Sequence, residues 1–124
     1  MTLAYVCVLI AIFIPILLVG YSKFFSKGYD NRSPREFLDQ LHGKAKRANY
    51  AQMNAYEVFP PFAAGVIIAH NVGAVQHQID TLAVLFIVAR ILYSWAYVSD
   101  RPTLRSVFWA GGLACIIGFF VISF

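Results

Sequence analysis

The run Arg47-Ala48-Asn49-Tyr50-Ala51-Gln52-Met53-Asn54-Ala55-Tyr56-Glu57-Val58-Phe59-Pro60-Pro61-Phe62 opens the second of four long apolar stretches. It carries a carboxamide and a carboxylate into what otherwise reads as membrane-spanning helix. Asn54 and Glu57 are three residues apart, so a helix presents them on one face. The next apolar stretch holds Arg90. A charge in the hydrocarbon core costs at least ~2.5–3.5 kcal/mol on insertion scales, so such a charge is rarely left without a partner. Arg90 is therefore expected to pair with Glu57 inside a helical bundle.

Composition names the solvent. Of the 124 residues, 60% are hydrophobic and 13% charged, against about 45–50% and ~25% in soluble domains. A soluble domain of this length cannot hide that much apolar surface. The expected fold class is all-α: an integral membrane four-helix bundle in which residues 1–124 form a single domain. The spans are expected at about 3–25, 48–69, 81–98 and 104–124, each near the ~20 residues that crossing requires. The first does not read as a cleaved signal peptide. It lacks a basic leading region, Pro15 sits mid-run, and Tyr21, Lys23 and Phe24 occupy the zone of a small-residue cleavage site.

The basic residues predict orientation. Lys23, Lys27, Arg32, Arg35, Lys44, Lys46 and Arg47 cluster between the first two spans, and Arg101 and Arg105 flank the third connection. Between Asn71 and Asp80 there is neither Lys nor Arg. The positive-inside rule then places the first and third connections in the cytoplasm and both termini outside. Topology and anionic lipid account for the net charge of +4. No basic run interleaved with aromatics points to nucleic acid. Cys7 and Cys115 fall in apolar stretches and read as small buried hydrophobes. Without a Cys/His cluster, no metal site is expected. His42, His70 and His77 lie at segment ends and read as interfacial polar groups.

Local signals refine this layout. Ser33-Pro34-Arg35-Glu36 is a capping box with proline at the first helical position. It predicts a helix of two to three turns within a polar link over about 26–46. That helix has a Phe37, Leu38, Leu41 face and ends at Gly43. Pro60-Pro61 removes two backbone donors and frees the carbonyls of Tyr56 and Glu57, predicting a helix break and a polar cavity beside it. Asp80-Thr81 reads as the cap of the third span. Along that span Arg90, Tyr93 and Tyr97 share one face. In the last span Gly111, Gly112 and Ala114 permit close helix approach.

The ordered set Ala51, Asn54, Glu57, Pro61-Phe62, followed by Arg90, Tyr97 and Arg105-Ser106-Val107, resembles the MAPEG superfamily, the membrane-associated proteins in eicosanoid and glutathione metabolism. Asp30-Asn31-Arg32 and Ser33-Pro34-Arg35 look like its bacterial branch. The resemblance covers nearly the whole chain. It implies a homotrimer of four-helix subunits in a bacterial inner membrane, with glutathione bound between subunits near the cytoplasmic face. By position, it implies that Asn54, Glu57, Arg90, Tyr93 and Arg47 bind glutathione. Arg105, Ser106 and Tyr97 would steady its thiolate for transfer to a lipophilic electrophile or reduction of a lipid hydroperoxide. Two positions depart from the pattern. Tyr50 and Met53 stand where glutathione-using members carry basic residues, and arginine clamps a carboxylate bidentately where methionine cannot. Arg47, two turns before Asn54, is the candidate substitute.

Other readings of the same residues stay open. Asn54, Glu57 and Arg90 can form a satisfied polar network in a non-catalytic scaffold, or in a protein that binds lipid or another small ligand. A transporter or channel is the third class, on the strength of one acidic residue at membrane depth.

Overall fold

The computed structural model describes residues 1–124 as helices and connections with no strand. Four helices are long: α1 (Leu3–Phe24), α3 (Gly43–Asn71), α4 (Gln76–Val98) and α5 (Pro102–Val121). A short helix, α2 (Pro34–Asp39), precedes α3. The long helices pack side by side, α1 against α3 and α4, and α5 against α4 and α3. Helices α1, α4 and α5 are long and apolar enough to cross a membrane. Many of their large apolar side chains point outward, including Leu17, Val88 and Ile117. The molecule is an integral membrane protein whose outer surface meets lipid. Helix α3 is the longest, but Lys44, Lys46, Arg47, Gln52, Asn54 and Glu57 dilute its apolar character.

The core lies in the half of the bundle away from the basic link. Phe62 stacks on Phe86 at 3.9 Å between centroids and tilts against Phe119 at 5.8 Å. Cys7 and Cys115 are free and buried in the same cluster, as apolar packing residues. Among the glycines, Gly65 and Gly118 meet the tightest neighbours from another helix, and Gly111 and Gly112 do not. A Cβ on Gly65 would lie 3.0 Å from the Phe119 Cβ, and one on Gly118 would lie 3.0 Å from Leu82. Gly111 faces open space, and Gly112 meets only the Arg90 stem and the Phe86 ring at ordinary contact distance.

Several local expectations need correction. Helix α3 does not break at Pro60-Pro61 but runs through both prolines for 29 residues. Beyond them Phe62, Gly65, Val66 and Ala69 are buried against the core, so packing carries the helix across the missing donors. Helix α2 begins at Pro34 as predicted, yet the Ser33 side chain makes no capping bond and the helix lasts six residues. Gly43 does not end it. Its left-handed φ of 60° lets the chain turn into α3. The predicted face holds, with Leu38 and Leu41 buried against Ala45 and with Val19 and Phe37 at the edge. The link thus docks on the end of the bundle.

Asp80-Thr81 does not cap α4, which begins five residues before Thr81 at Gln76. Asp80 instead serves α1: its Oδ1 accepts from the Ala4 backbone N–H at 2.9 Å and from Gln76 Nε2 at 2.9 Å. Thr2 caps the same helix and meets His70 Nε2 at 3.0 Å. His70 stacks on Tyr5 at 4.3 Å and bonds the Val66 carbonyl through Nδ1 at 2.8 Å. His70 is therefore part of a clasp joining three helices.

Candidate functional site

Three helices meet at a cavity of about 260 Å³, lined by Asn54 from α3, Tyr93 and Tyr97 from α4, and Arg105, Ser106 and Trp109 from α5. Five of these six were legible as candidates in the sequence. Their convergence follows from spacing. Tyr93 and Tyr97 are four apart on α4, and Arg105 and Trp109 are four apart on α5, so each pair stacks along one helix face. Pro102 starts α5 with its fixed φ, which puts Arg105 and Ser106 in the first turns after the bend.

The aromatic rings and guanidiniums interlock. Tyr93 meets Tyr97 edge to face at 5.7 Å between centroids. The Arg90 guanidinium lies 4.1 Å from the Tyr93 ring centre, and the Arg105 guanidinium lies 4.6 Å from that of Tyr97. Such contacts hold a cation in place without neutralising it. Arg105 is half-buried at the cavity wall. Its guanidinium is therefore within reach of an anion in the cavity. Arg105 and Ser106 also line a cleft along α5 with Val107 and Ala110, so the polar cavity and this cleft share two side chains.

Behind the cavity sits Arg90, only 2% exposed and the one charged side chain that is fully buried. Its expected direct pairing with Glu57 does not occur. Arg90 Nη2 donates to Asn54 Oδ1 at 2.7 Å, and Asn54 Nδ2 donates to Glu57 Oε2 at 3.0 Å. The carboxamide relays between the two charges because it can accept and donate at once. Glu57 itself is exposed at the bundle surface, not buried. It lines a second groove of about 600 Å³ with Lys23, Arg35, Gln52 and Met53.

Arg47 is not brought to the cavity. Its Nε donates to the Val98 carbonyl at 3.1 Å, closing the last turn of α4. Tyr50 and Met53 are both largely exposed and line no wall of the cavity. Trp109 is the residue that sequence reasoning missed. Its offset of four from Arg105 was a sufficient signal, obscured because tryptophan in an apolar span reads as a lipid-facing or interfacial side chain.

The family model described as the MAPEG family matches residues 1–124, the whole chain. No curated protein and no solved structure matches it.

Proposed function

The chain belongs to the MAPEG family, and on that premise we propose that it binds glutathione and uses it as a transferase or peroxidase on lipophilic electrophiles or lipid hydroperoxides. The observation that carries this reading is the convergence of Asn54, Tyr97, Arg105 and Ser106 from three helices on one cavity. A free thiol has a pKa near ~8.5, and an adjacent cation lowers it. Arg105 supplies that cation, while the Ser106 hydroxyl and the Tyr97 phenol are neutral donors for the developing thiolate. Electrophile or hydroperoxide reaches the sulfur past Arg105 and Ser106, which the cavity shares with the cleft along α5.

Glutathione also carries two carboxylates and an ammonium. Glu57 suits the ammonium, with Asn54 holding the adjoining peptide. Arg47 is engaged with Val98, so it does not replace the cations absent at Tyr50 and Met53. Lys23 and Arg35 line the groove that Glu57 also lines, and they are the candidates for the carboxylates. Their distribution over two surfaces of one chain fits a ligand held between subunits of a homotrimer. Helix α3 crosses the bilayer as a fourth span, with the basic link on the cytoplasmic side of a bacterial inner membrane.

The non-catalytic reading has one observation in its favour. Every buried side-chain nitrogen and oxygen has a hydrogen-bond partner, so Arg90 and Asn54 need no ligand to be satisfied. Isothermal titration of glutathione into detergent-purified protein, with thiolate ultraviolet absorbance at neutral pH, separates the two. The enzyme reading expects saturable binding and a thiolate signal that Arg105→Ala removes. No binding at millimolar glutathione overturns it.

A further inference from the structure

We propose that the groove between α1, α2 and α3 is a headgroup site for a phospholipid with a primary ammonium, phosphatidylethanolamine. Each helix supplies part of it. Val19 and Lys23 are four apart on α1, and Arg35 and Asp39 are four apart on α2, so each pair shares a face. On α3 the lining residues Asn49, Met53 and Tyr56 also fall on one face. The volume of about 600 Å³ is within the range of small-molecule sites, roughly 300–1,000 Å³.

The donors converge at one end. Lys23 lies in the last turn of α1, Arg35 in the first turn of α2, and Asn49 in the second turn of α3. Asn49 is the most informative. It is 4% exposed, and its Oδ1 accepts from Gln52 Nε2 at 2.8 Å. Its Nδ2 has no partner in the fold. No fully enclosed side-chain nitrogen lacks one, so this amide opens on the groove that Asn49 lines. Lys23 Nζ sits 4.8 Å over the Tyr29 ring, a contact that orients the ammonium. An amide N–H, an ammonium and a guanidinium together suit a phosphate.

Two further features select the ligand. From the donors the groove runs along Val19, Met53 and Tyr56, and the last two are exposed on a surface that meets lipid. A phosphate held at the basic end can therefore lay its acyl chains along the α1–α3 seam, a contact that a soluble phosphoester cannot make. The groove also sets Asp39 and Glu57 against Lys23 and Arg35, so its formal charge is zero and it matches a zwitterion. Asp39, one turn past Arg35, is the acceptor for the headgroup ammonium. A primary ammonium donates to it, whereas a quaternary one has no N–H and a glycerol headgroup has no cation. Lys23 and Arg35 are also the cations proposed for glutathione's carboxylates. The lipid competes with glutathione for them, but its binding does not depend on glutathione.

Native mass spectrometry of the detergent-purified protein tests this without glutathione. Phosphatidylethanolamine, phosphatidylcholine and phosphatidylglycerol of identical acyl chains are added at equal concentration. One phosphatidylethanolamine per chain should persist at activation energies that strip the other two, at roughly threefold higher occupancy or more. Arg35→Gln should lower that occupancy about three- to tenfold. Asp39→Asn should keep a bound phospholipid and move the preference to phosphatidylglycerol. Both residues are exposed, so neither change disturbs the core. Equal retention of the three lipids, retention unchanged in Arg35→Gln, or an unchanged preference in Asp39→Asn overturns the proposal. So does displacement of the lipid by millimolar glycerophosphoethanolamine, which would make the ligand a soluble phosphoester.

Discussion

Asn54 accepts a hydrogen bond from Arg90 across 2.7 Å, so the buried guanidinium is held by a neutral carboxamide and reaches the Glu57 carboxylate only through it. The two members of this chain should then respond very differently to mutation. Asn54→Ala strands a guanidinium that is 2% exposed, and breaking a buried charge's partnership costs about 3–5 kcal/mol. Glu57→Gln keeps an acceptor for the Asn54 amide at an exposed site and should cost under ~1 kcal/mol. Thermal unfolding of both variants in detergent checks the order. A larger loss for Glu57→Gln than for Asn54→Ala would mean that the carboxylate, and not the carboxamide, holds Arg90.

The chemistry is predicted to depend on Arg105 without the fold depending on it. Arg105 is half-buried, and its guanidinium lies 4.6 Å from the Tyr97 ring centre. Arg105→Ala should lower kcat by about 10²–10³, the usual scale for removing one preorganised stabiliser of developing charge. The unfolding temperature should stay within a few degrees of the parent. Turnover with glutathione and thermal unfolding, measured on the same preparation, are the two readouts. A protein that loses both together assigns Arg105 to packing.

Much of this site was legible because its residues sit at helical spacings. Arg90, Tyr93 and Tyr97 share an α4 face in the sequence, and the structure keeps them together. What could not be read was the partner across the helix gap. Glu57 and Arg90 have opposite charges, which suggests contact, but α3 turns Glu57 outward and presents Asn54 inward. Spacing along one helix fixes a shared face and leaves open which of two neighbours points at the next helix. Proline misled for a related reason. Pro60-Pro61 predicts a break from local bonding alone, whereas the buried residues after it keep α3 continuous. Asp80 looked like a cap for its own helix and caps α1 instead. No local pattern encodes a contact 76 residues away.

That contact gives a third prediction. Asp80 Oδ1 takes both the Ala4 N–H and the Gln76 amide at 2.9 Å, which satisfies a donor at the α1 start that lacks an intrahelical acceptor. Asp80→Ala should therefore behave as the loss of a helix cap, at about 1 kcal/mol. The effect should be local. Amide exchange should rise over the first turn of α1 and leave the α4–α5 contact protected. Uniform loss of protection across all four long helices would show that the clasp supports the whole bundle.

Gly65 tests whether the prolines are bridged by packing. A methyl group there would lie 3.0 Å from the Phe119 Cβ and 3.2 Å from its ring. The nearest atom is anchored next to the α5 backbone and cannot rotate away. Gly65→Ala removes helix-interior glycine, which alone favours the helix by roughly 0.5–1 kcal/mol. Overpacking acts against it at about 1–3 kcal/mol. The balance should be destabilising, with α3 and α5 pushed apart just beyond Pro60-Pro61. Loosening there should raise amide exchange from Phe62 to Ala69 more than in the α3 segment before Asn54. If Gly65→Ala instead raises the unfolding temperature, propensity outweighs contact, and packing against Phe119 is not what carries α3 past its two prolines.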